Sequence, residues 1–529
     1  MSLSRVVGGM DVLPRSFLGL PNLYRYYLPA AVVLWWLVSR RERRKLPPSP
    51  GRALPIIGHL HLFPRDNAWL KFTEWSRQLG PVFHLNLAGQ DVVVLGTHKA
   101  AADLLDRRSS IYSDRARNYV AGELMAGGMV FGFTDAHETW KKMRRASHEA
   151  MNPSMALRYR PMQELESYIL CHQLLQKPDI WDDHIRRANL SLMFSIIYGL
   201  PPKLDSEDPN IRRTNAFVSG LLAAASPGAY LVEYFTWLKY LPRWMCGWRR
   251  HAEAFFQSYC NYFESMFADV ETRMIQGTQG TCVATTYIEN RFKLGLTDRE
   301  AACAAGGETT AGQMAWLVLA IVLYPDIQKK TQQQIDTVVG RDRMPNLQDI
   351  PNLPYVSAFV TEVMRWRGVG PLSVPHRANT DDYYQGFYIP KDTVVIPNVW
   401  ALNHDPNVWG PDPDDFRPER HLDETGQLKK PLPDTHEESH VTFGFGRRVC
   451  VGKYVANNSL LIQAACLLWS FSFSPNKDKS GKPVFPDTFA WEDSGLVVRP
   501  EEFSCVIRPR APEIETVIRQ SLDAKGFSL

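Results

Sequence analysis

The stretch FGFGRRVCVGK, Phe443 to Lys453, sets a single cysteine between an arginine pair and a glycine near the end of a 529-residue chain. A thiolate is a soft, strongly donating metal ligand, and its pKa falls beside positive charge or a metal. Arg447, Arg448 and the backbone N–H groups around Gly444, Gly446 and Gly452 are expected to stabilise a negative sulfur on Cys450. A buried structural cysteine is the commoner fate of a lone thiol. Against that reading, the spacing F-x-x-G-x-R-x-C-x-G of Phe443, Gly446, Arg448, Cys450 and Gly452 would arise by chance in a chain this long with a probability on the order of 10⁻⁴.

The rest of the chain limits what such a thiol serves. Hydrophobic residues make up 45% and charged residues 22%, an ordinary globular balance without the signature of disorder. A net charge of +4 is too small to argue for a nucleic-acid partner. The eight cysteines show no CxxC pair and no zinc-finger spacing, so neither a disulfide framework nor a structural zinc site is expected.

The amino end differs in composition. Phe17 to Val38 is apolar apart from Asn22 and Arg25, and the basic run RRERRK, Arg40 to Lys45, comes closely after it. Because a membrane span takes roughly 20 apolar residues, crossing requires Arg25 to snorkel or the bilayer to thin locally. No small-residue cleavage site precedes the basic run, and the positive-inside rule keeps the chain beyond it on the cytoplasmic side. Residues 1–45 are therefore expected to form an anchor. Residues 46–60, with Pro47, Pro48 and Pro50, read as an extended hinge, and 61–529 as one catalytic body.

Helical patterning dominates that body, as in Met162–Gln176 and Pro325–Val339, and strand signals are short: two strands in 81–96 and a hairpin region in 383–400. The fold class expected is mainly α with small β-sheets. The segment from Leu296 to Pro325 reads as one long helix opened by a Thr297/Glu300 capping box. Its centre, GGETT, Gly306 to Thr310, carries two glycines that cost about 2 kcal/mol in a helix interior. Either the helix kinks there with Glu308 solvated, or the glycines clear room for a ligand while Glu308 and Thr309 supply an acid and a hydroxyl. Downstream, Glu362 and Arg365 lie one helical turn apart in TEVMR. Such pairs are usually surface decoration, but a buried carboxylate holding both Arg365 and Arg420 of FRPERHL would lock a loop to a helix.

The motif around Cys450 resembles the heme-binding signature of the cytochrome P-450 monooxygenases, and the resemblance runs from about Leu46 to Pro509. It implies a cytochrome P-450 fold behind an N-terminal membrane anchor helix, with Cys450 as the axial thiolate ligand of heme b. AGGETT is similar to the family's oxygen-activation motif, with Glu308 in the acid position and Thr309 delivering protons. EVMR resembles the E-x-x-R element, completed by Arg420. Trp140 and Arg144 of WKKMR, His376 of VPHR and Arg448 match heme-propionate positions. His421 stands where the family often has phenylalanine, a departure taken as minor. The implied reaction inserts one oxygen atom from O2 into a C–H bond, with electrons from NADPH.

Microsomal resemblance further implies an endoplasmic reticulum membrane protein with a cytosolic catalytic domain. Its partners would be NADPH-cytochrome P-450 reductase and, as an accessory donor, cytochrome b5. Lys141 to Arg145, Arg447 and Lys453 would form a docking face for an acidic donor, or else a merely solvated one. The sequons at Asn189 and Asn457 are expected to stay unused. Apolar stretches at 119–133, 217–235 and 369–374 point to a lipophilic small-molecule substrate. The segment from Gly370 to Pro406 looks most like fungal natural-product enzymes of the O-methylsterigmatocystin oxidoreductase-like group, which implies a terpenoid, sterol-like or polyketide substrate, oxidised once or repeatedly. Two rivals are an isomerase or dehydratase of the same fold that uses no O2, and a non-enzymatic heme or lipid-binding protein.

Overall fold

A computed structural model describes residues 46–529 apart from 131, 227, 298, 301–308 and 529. The expected anchor and Glu308 lie outside the described residues. The longer helices are α1 (Ala68–Leu79), α2 (Glu138–Met151), α3 (Arg160–Gln176), α4 (Trp181–Tyr198), α5 (Pro209–Ala225), α6 (Gly247–Ile275), α7 (Val283–Leu294), α8 (Thr309–Leu323), α9 (Pro325–Val339), α10 (Pro354–Trp366), α11 (Lys453–Ser470) and α12 (Ile514–Ala524). The strands are β1 (Val82–Leu87), β2 (Gln90–Leu95), β3 (Asp114–Arg115), β4 (His376–Arg377), β5 (Asp382–Tyr384), β6 (Phe387–Ile389), β7 (Val394–Pro397), β8 (Phe471–Lys477), β9 (Pro483–Val484), β10 (Trp491–Asp493), β11 (Val498–Pro500) and β12 (Cys505–Pro509). The architecture is mainly helical with small sheets, as expected.

α8 is apolar on every side and buried from Ala311 to Val322, which places it at the centre of the molecule. Around it pack α4, α10 and α11, and they share one core with α3, α9 and α12. Among the described residues no single helix is long and apolar enough to cross a membrane. Pro325 ends the α8 run, cannot continue its hydrogen-bond ladder, and starts α9 at an angle of 104°. The capping box at Thr297 is present: Thr297 N–H donates to Glu300 at 2.9 Å and Glu300 N–H to Thr297 Oγ1 at 3.3 Å. All the described cysteines are free thiols.

The largest sheet has strand order β1-β2-β7-β4-β3 and brings segments more than 250 residues apart into register. β1 and β2 form the expected hairpin. The second expected hairpin region divides: β5 and β6 pair with each other, while β7 joins β2 in parallel. The proline-rich segment 46–60 is not a bare spacer. His84 N–H donates to the Pro48 carbonyl at 2.8 Å, and Asn86 N–H to the His59 ring at 2.8 Å, tying the segment to β1.

α10 and the irregular chain from Asn403 to His421 are stitched together around one carboxylate. Glu362 and Arg365 are both fully buried, so the surface reading of this pair does not hold. Glu362 Oε1 accepts from Arg365 Nη2 (2.7 Å), Arg420 Nε (2.9 Å) and the Arg417 amide (2.9 Å). Its Oε2 accepts from Arg365 Nε (2.7 Å) and His421 Nε2 (2.8 Å). His421 is therefore not a neutral replacement, since phenylalanine could not make that bond. The arginines direct their remaining donors to carbonyls of Asn403, Trp409, Asp412, Pro413 and Asp415.

Burial alone would raise the Glu362 pKa, but the Arg365 and His421 donors outweigh it and hold the acid at about 2, below its ordinary 4.5. The ionised form is thus favoured by folding, so the contribution is complete above pH 4.5 and is lost as pH falls towards 2. By linkage that contribution is about 3 kcal/mol. Acid unfolding followed by circular dichroism should show this loss in the wild type and its absence in Glu362→Gln, which should already be destabilised at pH 7; an identical acid profile for both proteins would refute the assignment.

Candidate heme-thiolate site

Cys450 sits just before α11, in a loop whose shape follows from its glycines. Gly444 and Gly446 have φ of +79° and +55°, which L side chains rarely adopt. A side chain at Gly446 would also run into the Leu105 carbonyl. The loop closes on itself where the Cys450 amide donates to the Phe443 carbonyl at 2.8 Å. Gly452 has an ordinary φ of −87° and leads into α11. Its N–H favours the ionised form of the Cys450 thiol.

The other described cysteines are buried, whereas the Cys450 side chain is open although protein surrounds it. Burial pushes its thiol above 9.0, while the Gly452 amide and the Arg144 and Lys453 charges pull the other way. Such a sulfur keeps its proton at neutral pH unless a metal replaces it.

The expected stabilisation by Arg448 and by the Gly446 amide is not what the structure shows. The Gly446 N–H donates to Asp106 at 2.5 Å. Arg448 donates to the Ser113 and Thr134 carbonyls, each at 2.6 Å, and its guanidinium lies 4.1 Å from the Trp140 ring centroid. The charges that act on the sulfur come instead from Arg144 on α2 and Lys453 on α11. Lys453 is buried and paired with Glu438 at 3.1 Å, so it does not belong to the exposed basic face. Lys141, Arg145 and Arg447 are exposed.

Arg448, Trp140, Arg144 and His376 form a second cluster, and the structure adds Arg115. β3 and β4 place Arg115 directly opposite His376. Arg115 donates to the Val374 carbonyl at 2.5 Å, and its Nε is buried without an acceptor among the described residues. Burial, then the Arg448 and Arg144 charges, push its pKa well down from 12.5. Asp135 and Asp114, the acids beside Arg448, are engaged by Arg377 at 2.5 and 3.5 Å. The buried Trp140 indole N–H also has no acceptor among the described residues. His376 Nδ1 donates to the Tyr112 carbonyl at 2.7 Å, and burial with the Arg115 charge keeps the ring neutral. An anion beside Nε2 would favour the second proton.

Arg115, a buried cation repelled by Arg448 and Arg144 and with its Nε unpartnered among the described residues, calls for an anionic group. Among the described residues no three His, Cys, Asp or Glu side chains converge as a metal cage. One open cysteine therefore suits a metal that brings its own equatorial ligands. Both features fit heme b: Cys450 would supply the axial thiolate, and Arg115, Arg144, Trp140, His376 and Arg448 would meet the propionates. Arg115 has no sequence signal of its own, because a two-residue strand carries no periodicity.

Thr309 is the first described residue of α8 and is exposed, while the helix is buried from Ala311 onward. α10 bridges this helix and the cysteine loop. Gln313, one turn after Thr309, donates to the Arg367 carbonyl at 3.1 Å, and Thr442 Oγ1 donates to the Met364 carbonyl at 2.8 Å. Gly312 lies against Val369 and Val497, and a Cβ there would stand 3.3 and 3.6 Å from their methyl groups. The 369–374 stretch thus does reach the turn after Thr309. Phe217 of the 217–235 stretch instead packs on Phe255 and Phe263 of α6.

Arg115→Leu should weaken heme retention by about tenfold or more, the loss of one charge-assisted contact, and should leave the apo fold intact. Heme transfer to apomyoglobin would read this out, and an unchanged transfer rate would remove Arg115 from the site.

Comparison with known proteins agrees with this geometry. The family description for cytochrome P-450 matches residues 47–505. A cytochrome P-450 monooxygenase of Armillaria gallica is 43% identical over 511 residues, covering 95% of this chain and 98% of the relative. Cytochrome P-450 monooxygenase 58 of Postia placenta is 41% identical, covering 93% and 95%. The monooxygenase iboC of Amanita muscaria is 34% identical, covering 94% and 98%. The chain belongs to the cytochrome P-450 family of monooxygenases.

Proposed function

We propose that the protein inserts one oxygen atom from O2 into a C–H bond of a lipophilic small molecule, with electrons that originate from NADPH and arrive through a membrane-bound reductase. The observation that carries this reading is the open sulfur of Cys450, deep in the protein and faced by the Gly452 amide. When bound, heme supplies the oxygen chemistry, and a thiolate ligand favours O–O cleavage.

The chain's own residues do the rest. The Gly452 N–H and the Arg144 charge support negative charge on the sulfur. Thr309 holds an exposed hydroxyl two residues before the buried part of α8, from which a proton can be handed on. Exposed Lys141, Arg145 and Arg447 offer cations to an acidic electron donor, with cytochrome b5 as an alternative source. Val369 and Val497 present methyl groups beside that helix end, which favours an apolar substrate. The proposed role in secondary metabolism, on a terpenoid, sterol-like or polyketide compound, rests on the resemblance of the segment from Gly370 to Pro406 to fungal natural-product enzymes.

Attachment to the endoplasmic reticulum membrane belongs to the same proposal. Besides the apolar run 17–38, the segment after α5 exposes Leu231, Phe235, Trp237, Tyr240, Trp244 and Met245, with Arg243 among them. Aromatic residues mixed with basic ones are the composition of a lipid interface.

Two measurements test the proposal. With a substrate found by its spin shift, Thr309→Ala should bind as well as wild type but form about tenfold less product per NADPH, the low side of a positioned proton donor. The missing electrons should appear as hydrogen peroxide. Unchanged coupling would show that protons travel elsewhere, and product without O2 would replace monooxygenation by isomerisation. In reconstituted bilayers, brominated lipid should quench part of the tryptophan fluorescence, with Trp35 and Trp36 of the apolar run contributing, and Trp237→Phe with Trp244→Phe should reduce that part without abolishing it; undiminished quenching would place the segment after α5 away from lipid.

A further inference from the structure

Asn403 ends the short helix Val399–Asn403 and is 1% exposed. Its backbone carbonyl accepts from Arg365 Nη1 at 2.8 Å. Its side chain faces the other way in the network. Oδ1 accepts from the Val441 amide at 3.1 Å, and Nδ2 donates to Thr442 Oγ1 at 3.0 Å. Thr442 Oγ1 then donates its own proton to the Met364 carbonyl of α10 at 2.8 Å. Val441 and Thr442 immediately precede Phe443, whose carbonyl receives the Cys450 amide.

The helix that carries Asn403 is itself fixed. Asn398 caps it by accepting from Ala401 N–H at 3.3 Å, and its Nδ2 donates to the Trp69 carbonyl at 2.9 Å. The Asn398 amide donates to Leu95 of β2 at 3.0 Å. Asn403 is thus held from one side by the largest sheet and from the other by the buried Glu362 network.

We propose that Asn403 is a positioning residue for the cysteine ligand, transmitting the rigidity of the Glu362–Arg365 network to the loop that presents Cys450. A carboxamide is suited to the place because it offers one acceptor and one donor on adjacent atoms. Leucine of similar size offers neither. The Thr442 hydroxyl is committed on both sides, so its proton direction is fixed as well. The grip on Arg365 passes through a backbone carbonyl, so a side-chain substitution releases the cysteine loop and leaves the Glu362 network in place. Loss of the side chain would leave the buried Val441 amide without its acceptor and the Thr442 hydroxyl with only the bond it donates to Met364.

This inference rests on the heme-thiolate reading, and its test separates the two. In the full chain, Asn403→Leu should bind heme, but its reduced carbon monoxide complex should convert from the thiolate to the neutral-thiol type at lower denaturant than wild type. Hydrogen exchange of heme-free protein should show Val441 and Thr442 exchanging about tenfold faster or more, with Glu362 to Trp366 still protected. Thr442→Val, which removes one of the two links, should fall between Asn403→Leu and wild type on both measures. It also decides the matter should Asn403→Leu not fold. Wild-type stability of the thiolate complex in a folded Thr442→Val protein, or unchanged loop exchange in Asn403→Leu, would overturn the assignment. Absence of a thiolate complex in the wild type would instead overturn the heme-thiolate reading.

Discussion

A buried carboxylate with five donors is the constraint on which the site depends. Glu362 is fully buried, and an isolated carboxylate in that position would cost several kcal/mol. Two donors on Arg365 of α10 and three more from Arg417, Arg420 and His421 make its burial tolerable. The pairing therefore fixes α10 against a segment with little regular structure. Removing one arginine would leave the other charges uncompensated, a loss of about 3–5 kcal/mol. From this hub the order passes through Asn403 and Thr442 to the cysteine loop, and through the end of α10 to Gln313 and the helix of Thr309.

The second principle of the site is charge left unbalanced. Arg115, pushed against Arg144 and Arg448 in the interior, is unfavourable in the protein alone, while burial leaves the Cys450 sulfur with its proton. A bound heme would answer to both, with Cys450 giving up its proton to hold the iron and Arg115 meeting a carboxylate. Binding of the cofactor and stability of the fold are coupled in this way. The same coupling explains why Gly444 and Gly446 matter: the loop must turn through left-handed backbone to bring the Cys450 sulfur and the Gly452 amide together.

Much of this is legible from residues alone. The sequence places α9 at its observed bounds, because Pro325 and an amphipathic run mark both ends, and it pairs β1 with β2 from an alternating pattern around a glycine turn. Cys450, Glu362, Arg365 and Arg420 stand out because their spacings are specific. Contacts between distant segments are not legible. Arg115 meets His376 only through a two-residue ladder, and Asn403 acts only through the fold. Arg447 and Arg448 read as positive neighbours of the sulfur, yet Arg448 turns away to carbonyls and the Trp140 ring, and side-chain direction has no local sequence signal. The role of His421 is hidden in the sequence because its partner, Glu362, is 59 residues away.

The most direct measurement is the carbon monoxide difference spectrum of the reduced full-length protein beside its Cys450→Ser variant. A thiolate-type band in the wild type, absent from a variant that still folds, is the expected result. Retention of that band without Cys450, or its absence from well-folded, heme-loaded wild type, would contradict the ligand assignment on which the site and its chemistry rest.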